Sequence, residues 1–266
     1  MSAKDVMKDT RLFHGLWRWL ESRKLRAEGK KRQGELHKNF KSLIANRNSE
    51  SCAEIAVDLY RSWGDELDET RKSYLRSCIK EFQHIEGDVL ISSASLLTLV
   101  LGAVSASDKS RRVWCMEHDS HWVRMLRSWL TQYAIKGTYI LEMPLVVVSN
   151  LVRYQILTKH LPKNITTVFC ERKGVSPGGT LSTLLTVSHH LAQEFTVFSR
   201  DVDLEVEGAL LKQWARKNGA SFVVVDKKDG FIKIARQHQA RVENRAHFEG
   251  SEIPKLVDSV KIEAVG

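Results

Sequence analysis

The chain has 266 residues, 42% of them apolar and 27% charged, with a formal net charge of +9. That length suits one large α/β domain or two small ones, and four scattered cysteines (Cys52, Cys78, Cys115, Cys170) without a C-x-x-C pair argue against a disulfide framework or a structural zinc site. The positive charge belongs to residues 1–47, which hold 13 Lys and Arg against 5 Asp and Glu while the rest holds 28 against 27, so a protein-wide basic surface for nucleic acid is not indicated.

The N-terminus has no apolar core of the signal-peptide kind. With the free cysteines, this leads us to expect a cytoplasmic protein. Residues 8–46 read as helical, with Leu12, Phe13, Leu16, Trp17 and Leu20 at helical spacing and Arg23, Lys24, Arg26, Lys30, Lys31 and Arg32 close behind. Such an arm either docks its apolar patch on the main domain or lies on an anionic membrane surface or a protein partner. RNA binding through the arm would rest on charge alone.

Two helices are expected over 51–85, interrupted at Gly64-Asp65, with Ser51 and Glu54 in capping-box spacing. A short apolar run, Val89-Leu90-Ile91, follows and reads as a strand. The small residues Ser92 to Ser95 form a turn, and Leu96–Val104 reads as a helix. Val89 to Ser107 lacks any charge over nineteen positions, close to the ~20 that span a bilayer, but the run splits into strand-like and helix-like parts. Val113–Met116 is a second strand and ends on Glu117-His118-Asp119. Strand, turn, helix, strand and closing acid make a βαβ unit of the nucleotide-binding type.

A helix is expected over 119–134, its Trp122, Met125, Leu126, Trp129, Leu130 and Tyr133 forming a core-facing stripe that stops near Gly137. Tyr139–Leu141 is a third strand. Leu145–Val148 either extends it or begins another element, and 150–160 looks helical. Ile165–Cys170 is a fourth strand ending at Glu171. Ser176–Gly179 is a turn, Leu181–Gln193 a helix, Phe195–Phe198 a fifth strand and Leu204–Lys217 a helix closed by Asn218-Gly219. SFVVV and FIKIA, joined by DKKDG, read as a hairpin. Residues 237–252 are polar, and the tail beyond them forms one more strand or stays loose. The expected organisation is a basic arm (1–47), a helical cap (48–84), an α/β domain (85–236) and a polar tail (237–266). Strands alternating with helices imply a parallel sheet.

The segment VWCMEHDSHWVRML resembles the "v-EhD-xxW-xxxL" second-strand segment found in a subset of class I S-adenosylmethionine-dependent methyltransferases. FTVFSRDVDLEVEGALLKQW is similar to the fifth-strand segment of the same subset, and the closing hairpin agrees. The resemblance covers roughly 85–236. It implies an α/β Rossmann-like methyltransferase fold, with a seven-stranded, mostly parallel sheet, a C-terminal antiparallel hairpin and N-terminal helices before it. It implies S-adenosylmethionine as cofactor, with Glu117 on the ribose hydroxyls, His118 beside the adenine, Glu142 at the end of the third strand, and Ser92, Ser93 and Ser95 in the loop under the methionine. It also implies methyl transfer to a hydroxyl of a small molecule or glycan, glycan because the subset is similar to proteins of polysaccharide assembly.

Where the family carries E-x-G-x-G after its first strand, this chain has Ile91, Ser93 and Ser95. Serine at a position built for positive φ would cost about 1 kcal/mol. The alternative implication is a non-catalytic methyltransferase-like scaffold.

Glu171 ends the fourth strand, where the family often places an acid near the transferred methyl. It is either a general base on the acceptor hydroxyl or a surface acid paired with Arg172 or Lys173. Asp201 and Asp203 follow Ser199-Arg200, a poor setting for a metal, and none is expected. His189 and His190 would point about 100° apart on a helix, and His118 and His121, flanking the end of the second strand, either shape a pocket over the adenine or are surface residues.

Overall fold

The computed structural model describes residues 34–63, 67–106, 108, 110–148, 151–155, 161–170, 179–228 and 230–237. Most of the arm, the tail beyond residue 237 and Glu171 to Gly178 lie outside them.

Helix α1 is described over 34–45. Next come α2 (Cys52–Trp63), α3 (Glu69–Phe82), β1 (Gly87–Ile91), α4 (Leu96–Ser105), β2 (Arg111–Glu117), α5 (Ser120–Gln132) and β3 (Thr138–Glu142). A hairpin follows, β4 (Leu145–Val148) and β5 (Leu151–Tyr154), then β6 (Ile165–Cys170), α6 (Gly179–Val187), a 3-10 turn (Ser188–His190), β7 (Leu191–Ser199), α7 (Glu207–Lys217), β8 (Ser221–Asp226) and β9 (Phe231–Arg236).

The seven-stranded sheet has the order β3-β2-β1-β6-β7-β9-β8. Its first five strands pair in parallel, and β9 enters antiparallel between β7 and β8. This is the layout the resemblance implies. β1 is an unbroken apolar run because both its faces are covered. Val89 and Ile91 point into one core layer with α2–α5, and Leu90 points into the other with α6 and α7.

The N-terminal helices are fixed by aromatic contacts. Trp63 stacks on Trp122 and meets Trp129 edge-on, and Phe40 packs on Trp129 and Tyr133. Asp68 caps α3 by accepting from the Arg71 N–H at 2.9 Å. Within the sheet, Asp88 is buried and accepts a bidentate pair from Arg112 (2.7 Å each) and the Trp114 indole N–H (3.0 Å). The uncharged stretch is split between β1 and the ten-residue α4, and no helix among the described residues is long and apolar enough to cross a membrane.

Several expectations are corrected. The helix expected over 150–160 is not formed where the chain is described, because Leu151–Tyr154 is strand β5. Val148 pairs with Leu151 and Leu145 with Tyr154, so only two residues join the strands, and the β-branched run Val146–Val148 favours pairing over helix. The helix expected to reach Gln193 ends at Val187, and β7 begins at Leu191. Residues 191–194 lack an alternating apolar pattern because they are half-exposed. They are held instead by Leu191 pairing with Ile165 and by Arg236 donating to the Ala192 and Gln193 carbonyls. His190 is buried, with Nδ1 3.0 Å from the Pro162 carbonyl oxygen, a structural position. Helix α7 starts at Glu207 rather than Leu204, since Asp203 accepts from the Glu205 and Val206 N–H groups and forms a turn there. Glu54 gives both its oxygens to Arg76 (2.6 and 2.9 Å) instead of closing a capping box.

Candidate functional site

The strand order reverses at β1, whose neighbours are β2 and β6. In an open α/β sheet, ligands bind in the crevice outside the carboxyl ends at that point. The residues converging there are Ser92–Ser95 after β1, Glu117 and His118 after β2, Cys170 at the end of β6, and Tyr154 at the end of β5.

Glu117 is the centre of the group. It is 2% exposed. Its Oε1 accepts from the backbone N–H groups of His118 (2.7 Å) and Asp119 (2.8 Å), and its Oε2 from that of Ala94 (2.8 Å). His118 Nδ1 stands 2.9 Å from Oε1. A carboxylate offers about four acceptor positions. Among the described residues, Ala94 is the donor to Oε2, which leaves that oxygen one lone pair for a ligand hydroxyl. The same bond ties the loop after β1 to the end of β2.

The loop does not take the path that glycine would need. Among the described residues only Ala134 and Asp201 are non-glycine positions with positive φ, so the strain expected at Ser93 and Ser95 is absent. Ser92 is buried, donates its N–H to the Phe169 carbonyl (2.9 Å) and turns its side chain toward Cys170. The Ser93 side chain faces the Tyr154 hydroxyl. Ser95 serves α4 as its N-cap residue, its N–H facing Thr98 Oγ1 at 3.4 Å and its carbonyl accepting from the Thr98 N–H at 3.1 Å. Glu142 is the register partner of Glu117 one strand further out, and it is exposed. Glu171 lies outside the described residues.

Three groups here were not foreseen. Tyr154 comes from the segment read as helix. Its ring is 6.5 Å from that of His118, and burial, reinforced by the Glu117 charge, pushes its hydroxyl well above the ordinary tyrosine value. Glu207 is buried and accepts from the Thr180 (2.8 Å) and Leu181 (3.1 Å) N–H groups, so an acid of α7 caps the N-terminus of α6. Arg200, also buried, lies over the Tyr74 ring at 5.7 Å and beside Asp201. An acid in the first turn of a helix is the only sequence signal for Glu207. Tyr154 and Arg200 carry none.

Burial pushes the Cys170 thiol up to about 12 and that of Cys52 to about 11, from an ordinary value near 9. Both thiols therefore stay protonated at pH 8, and an aromatic disulfide reagent should label them only as fast as the protein unfolds; immediate labelling of Cys170 in the folded protein would contradict this. The fold retains these protons where the unfolded chain loses them, so the two thiols weaken stability as pH rises above about 9.

Two cavities bear on the site. One of about 60 Å³ lies behind the loop, lined by Tyr60, Trp63, Trp122, Arg200 and Ser93–Leu96. It is far below the roughly 300 Å³ of a small ligand site. A larger groove of about 920 Å³ sits at the amino ends of β1 and β2, lined by Arg76, Lys80, His84, Asp108 and Arg111 among others. That is the opposite end of the sheet from the crevice.

No protein-family model matches the chain, and no curated protein does. Solved structures similar to it include a precorrin-6y C5,15-methyltransferase from Geobacter metallireducens (13% identity, 64% of this chain and 91% of that one, TM-score 0.42). Another is an S-adenosylmethionine-dependent methyltransferase from Aquifex aeolicus (14%, 60% and 86%, 0.41). A third is the N-terminal domain of human METTL16 in complex with S-adenosylhomocysteine (10%, 70% and 82%, 0.43). The chain has a class I methyltransferase-like Rossmann fold. That statement rests on the strand order and on the antiparallel β9.

Proposed function

We propose that this protein binds S-adenosylmethionine by its nucleoside end, with Glu117 accepting a ribose hydroxyl, and that it transfers the methyl group to a hydroxyl of a small molecule or glycan. The observation that carries the reading is the buried Glu117 carboxylate at the reversal point of the strand order, with acceptor capacity left on Oε2. The chain's residues fit the ribose end of the cofactor. When bound, adenosylmethionine supplies an electrophilic methyl group on sulfur. His118, beside Glu117 and partly exposed, borders the base, with Glu142 further out. Glu171 is the proposed acceptor for the substrate proton.

Calorimetric titration with S-adenosylmethionine and S-adenosylhomocysteine tests the reading, on the wild type and on Glu117→Gln. Micromolar binding weakened at least tenfold in the variant is expected. No heat at millimolar ligand, with the protein shown to be folded, would overturn it.

One observation favours a second reading, that of a non-catalytic scaffold. The Ala94 N–H already closes the first loop onto Glu117, and no acid stands at Ile91. The basic arm would then be the working part, on an anionic membrane surface or a protein partner. Co-sedimentation with phosphatidylserine vesicles should then fall when residues 1–47 are removed, and equal binding by both forms rules out the membrane role.

A further inference from the structure

We infer that the outer edge of β8 is a docking surface for the chain's own C-terminal segment, with Asp258–Ala264 running antiparallel to Ser221–Lys227 as an eighth strand. The segment itself lies outside the described residues. The inference is independent of the ribose role of Glu117.

The receiving surface is built from described residues. β8 ends the strand order, so among them its outer row of N–H and C=O groups meets no other strand. Edge strands are commonly blunted by lysine or proline, and the β8 sequence SFVVVD carries neither. On one face Val223 and Val225 are 52% and 51% exposed. Helix α3 covers that face only as far as β9. Tyr74 meets the Phe231 ring edge-on at 4.9 Å, and Lys233 Nζ donates to Glu81 at 2.8 Å. Lys233 is the register partner of Val223, so β8 stands one strand beyond the helix layer.

The segment DSVKIEA matches this edge position by position. Val260, Ile262 and Ala264 alternate with Ser259, Lys261 and Glu263, the period of a half-buried strand. With Asp258 opposite Lys227, Val260 falls opposite Val225, Ile262 opposite Val223 and Ala264 opposite Ser221. Residues opposite one another in an antiparallel pair share a face, and apolar and opposite-charge pairs there each stabilise the sheet. A shift of one residue would set Lys261 beside Val223 and lose the match.

The chain also reaches. Arg236 closes β9, and its guanidinium donates to the Ala192, Gln193 and Asn218 carbonyls. The Ser221 hydroxyl donates to the Ala235 carbonyl at 3.1 Å, so the tail leaves the sheet at the Ser221 end of β8. The proposed strand lies two strand spacings from β9, about 10 Å, and the link must first pass the length of β8, about 20 Å. Residues 237–257 span about 70 Å when extended.

Cysteine cross-linking in the full chain tests this. The four native cysteines are buried and add no fast thiol. Val223→Cys combined with Ile262→Cys, checked for folding by its thermal melt, places two thiols opposite each other on one face. At micromolar protein under mild oxidation this pair should form an intramolecular disulfide about tenfold faster than Val223→Cys with Lys261→Cys, whose second thiol falls on the other face. Equal rates, or no cross-link in either pair, would overturn the inference. A disulfide-linked dimer as the main product of both pairs would assign the edge to a second copy of the chain and overturn it as well.

Discussion

Replacing Glu117 with alanine is expected to lower the stability of the folded protein by about 3–5 kcal/mol. Three backbone N–H donors, from Ala94, His118 and Asp119, converge on its two oxygens at 2.7–2.8 Å, and the side chain is 2% exposed. Hydrogen bonds to a charged acceptor contribute about 1.5–3 kcal/mol each, and a buried donor left unmet costs a similar amount. The three do not add in full, because water can reach the half-exposed loop once the side chain is gone. Urea denaturation followed by far-ultraviolet circular dichroism gives the number. Glu117→Gln keeps one acceptor oxygen and should recover about half of the loss. A loss below 1 kcal/mol for Glu117→Ala would mean that the carboxylate does not hold the loop. It also separates two roles: an acid present only for a ligand would cost little stability when removed.

Gly230→Ala should be equally severe, about 3–5 kcal/mol, for a steric reason. A Cβ at Gly230 would lie 2.2 Å from the Val202 carbonyl oxygen and 2.7 Å from its nitrogen, and φ is +55°. The Val202 N–H donates to the Gly230 carbonyl at 3.3 Å, so the turn between β8 and β9 is pressed against the chain leaving β7. Neither side is a flexible side-chain tip that could give way, and the left-handed conformation adds about 1 kcal/mol of its own. Gly219 is the internal control. It has φ +63° with nothing within 4 Å of the added Cβ, so Gly219→Ala should cost only about 1 kcal/mol. Thermal melts of the two variants side by side check the contrast, and equal losses would contradict it.

Much of the fold could be read from the chain because burial on both faces leaves a strong signature. β1, β2 and β6 appear as short apolar runs, and α5 shows its stripe of Trp122, Leu126, Trp129 and Leu130 at helical spacing. The β8–β9 hairpin was legible from its polar five-residue link. Elements held by hydrogen bonds rather than by an apolar face were not. The first residues of β7 depend on a guanidinium 44 residues away, and β5 depends on a partner strand two residues upstream.

The site divides in the same way. Glu117 could be found because a strand-ending acid after an apolar run is a local pattern. Its bond to Ala94 and the arrival of Tyr154 depend on long-range geometry that no spacing encodes. The serine-for-glycine substitutions suggested strain, yet the loop takes a path that asks for no positive φ. Ser95 proves to be a helix N-cap residue, a role that its position before an apolar helix would have allowed.

The position of β9 has a consequence for how the molecule is made. It is the last described strand along the chain, but it lies inside the sheet, with β7 on one side and β8 on the other. During synthesis from the N-terminus, β7 has an open edge and β8 has no neighbour until residues 231–236 are available. A chain stopped at residue 230 would therefore lack an interior strand, not a dispensable border, and would present the β7 edge to any other chain nearby.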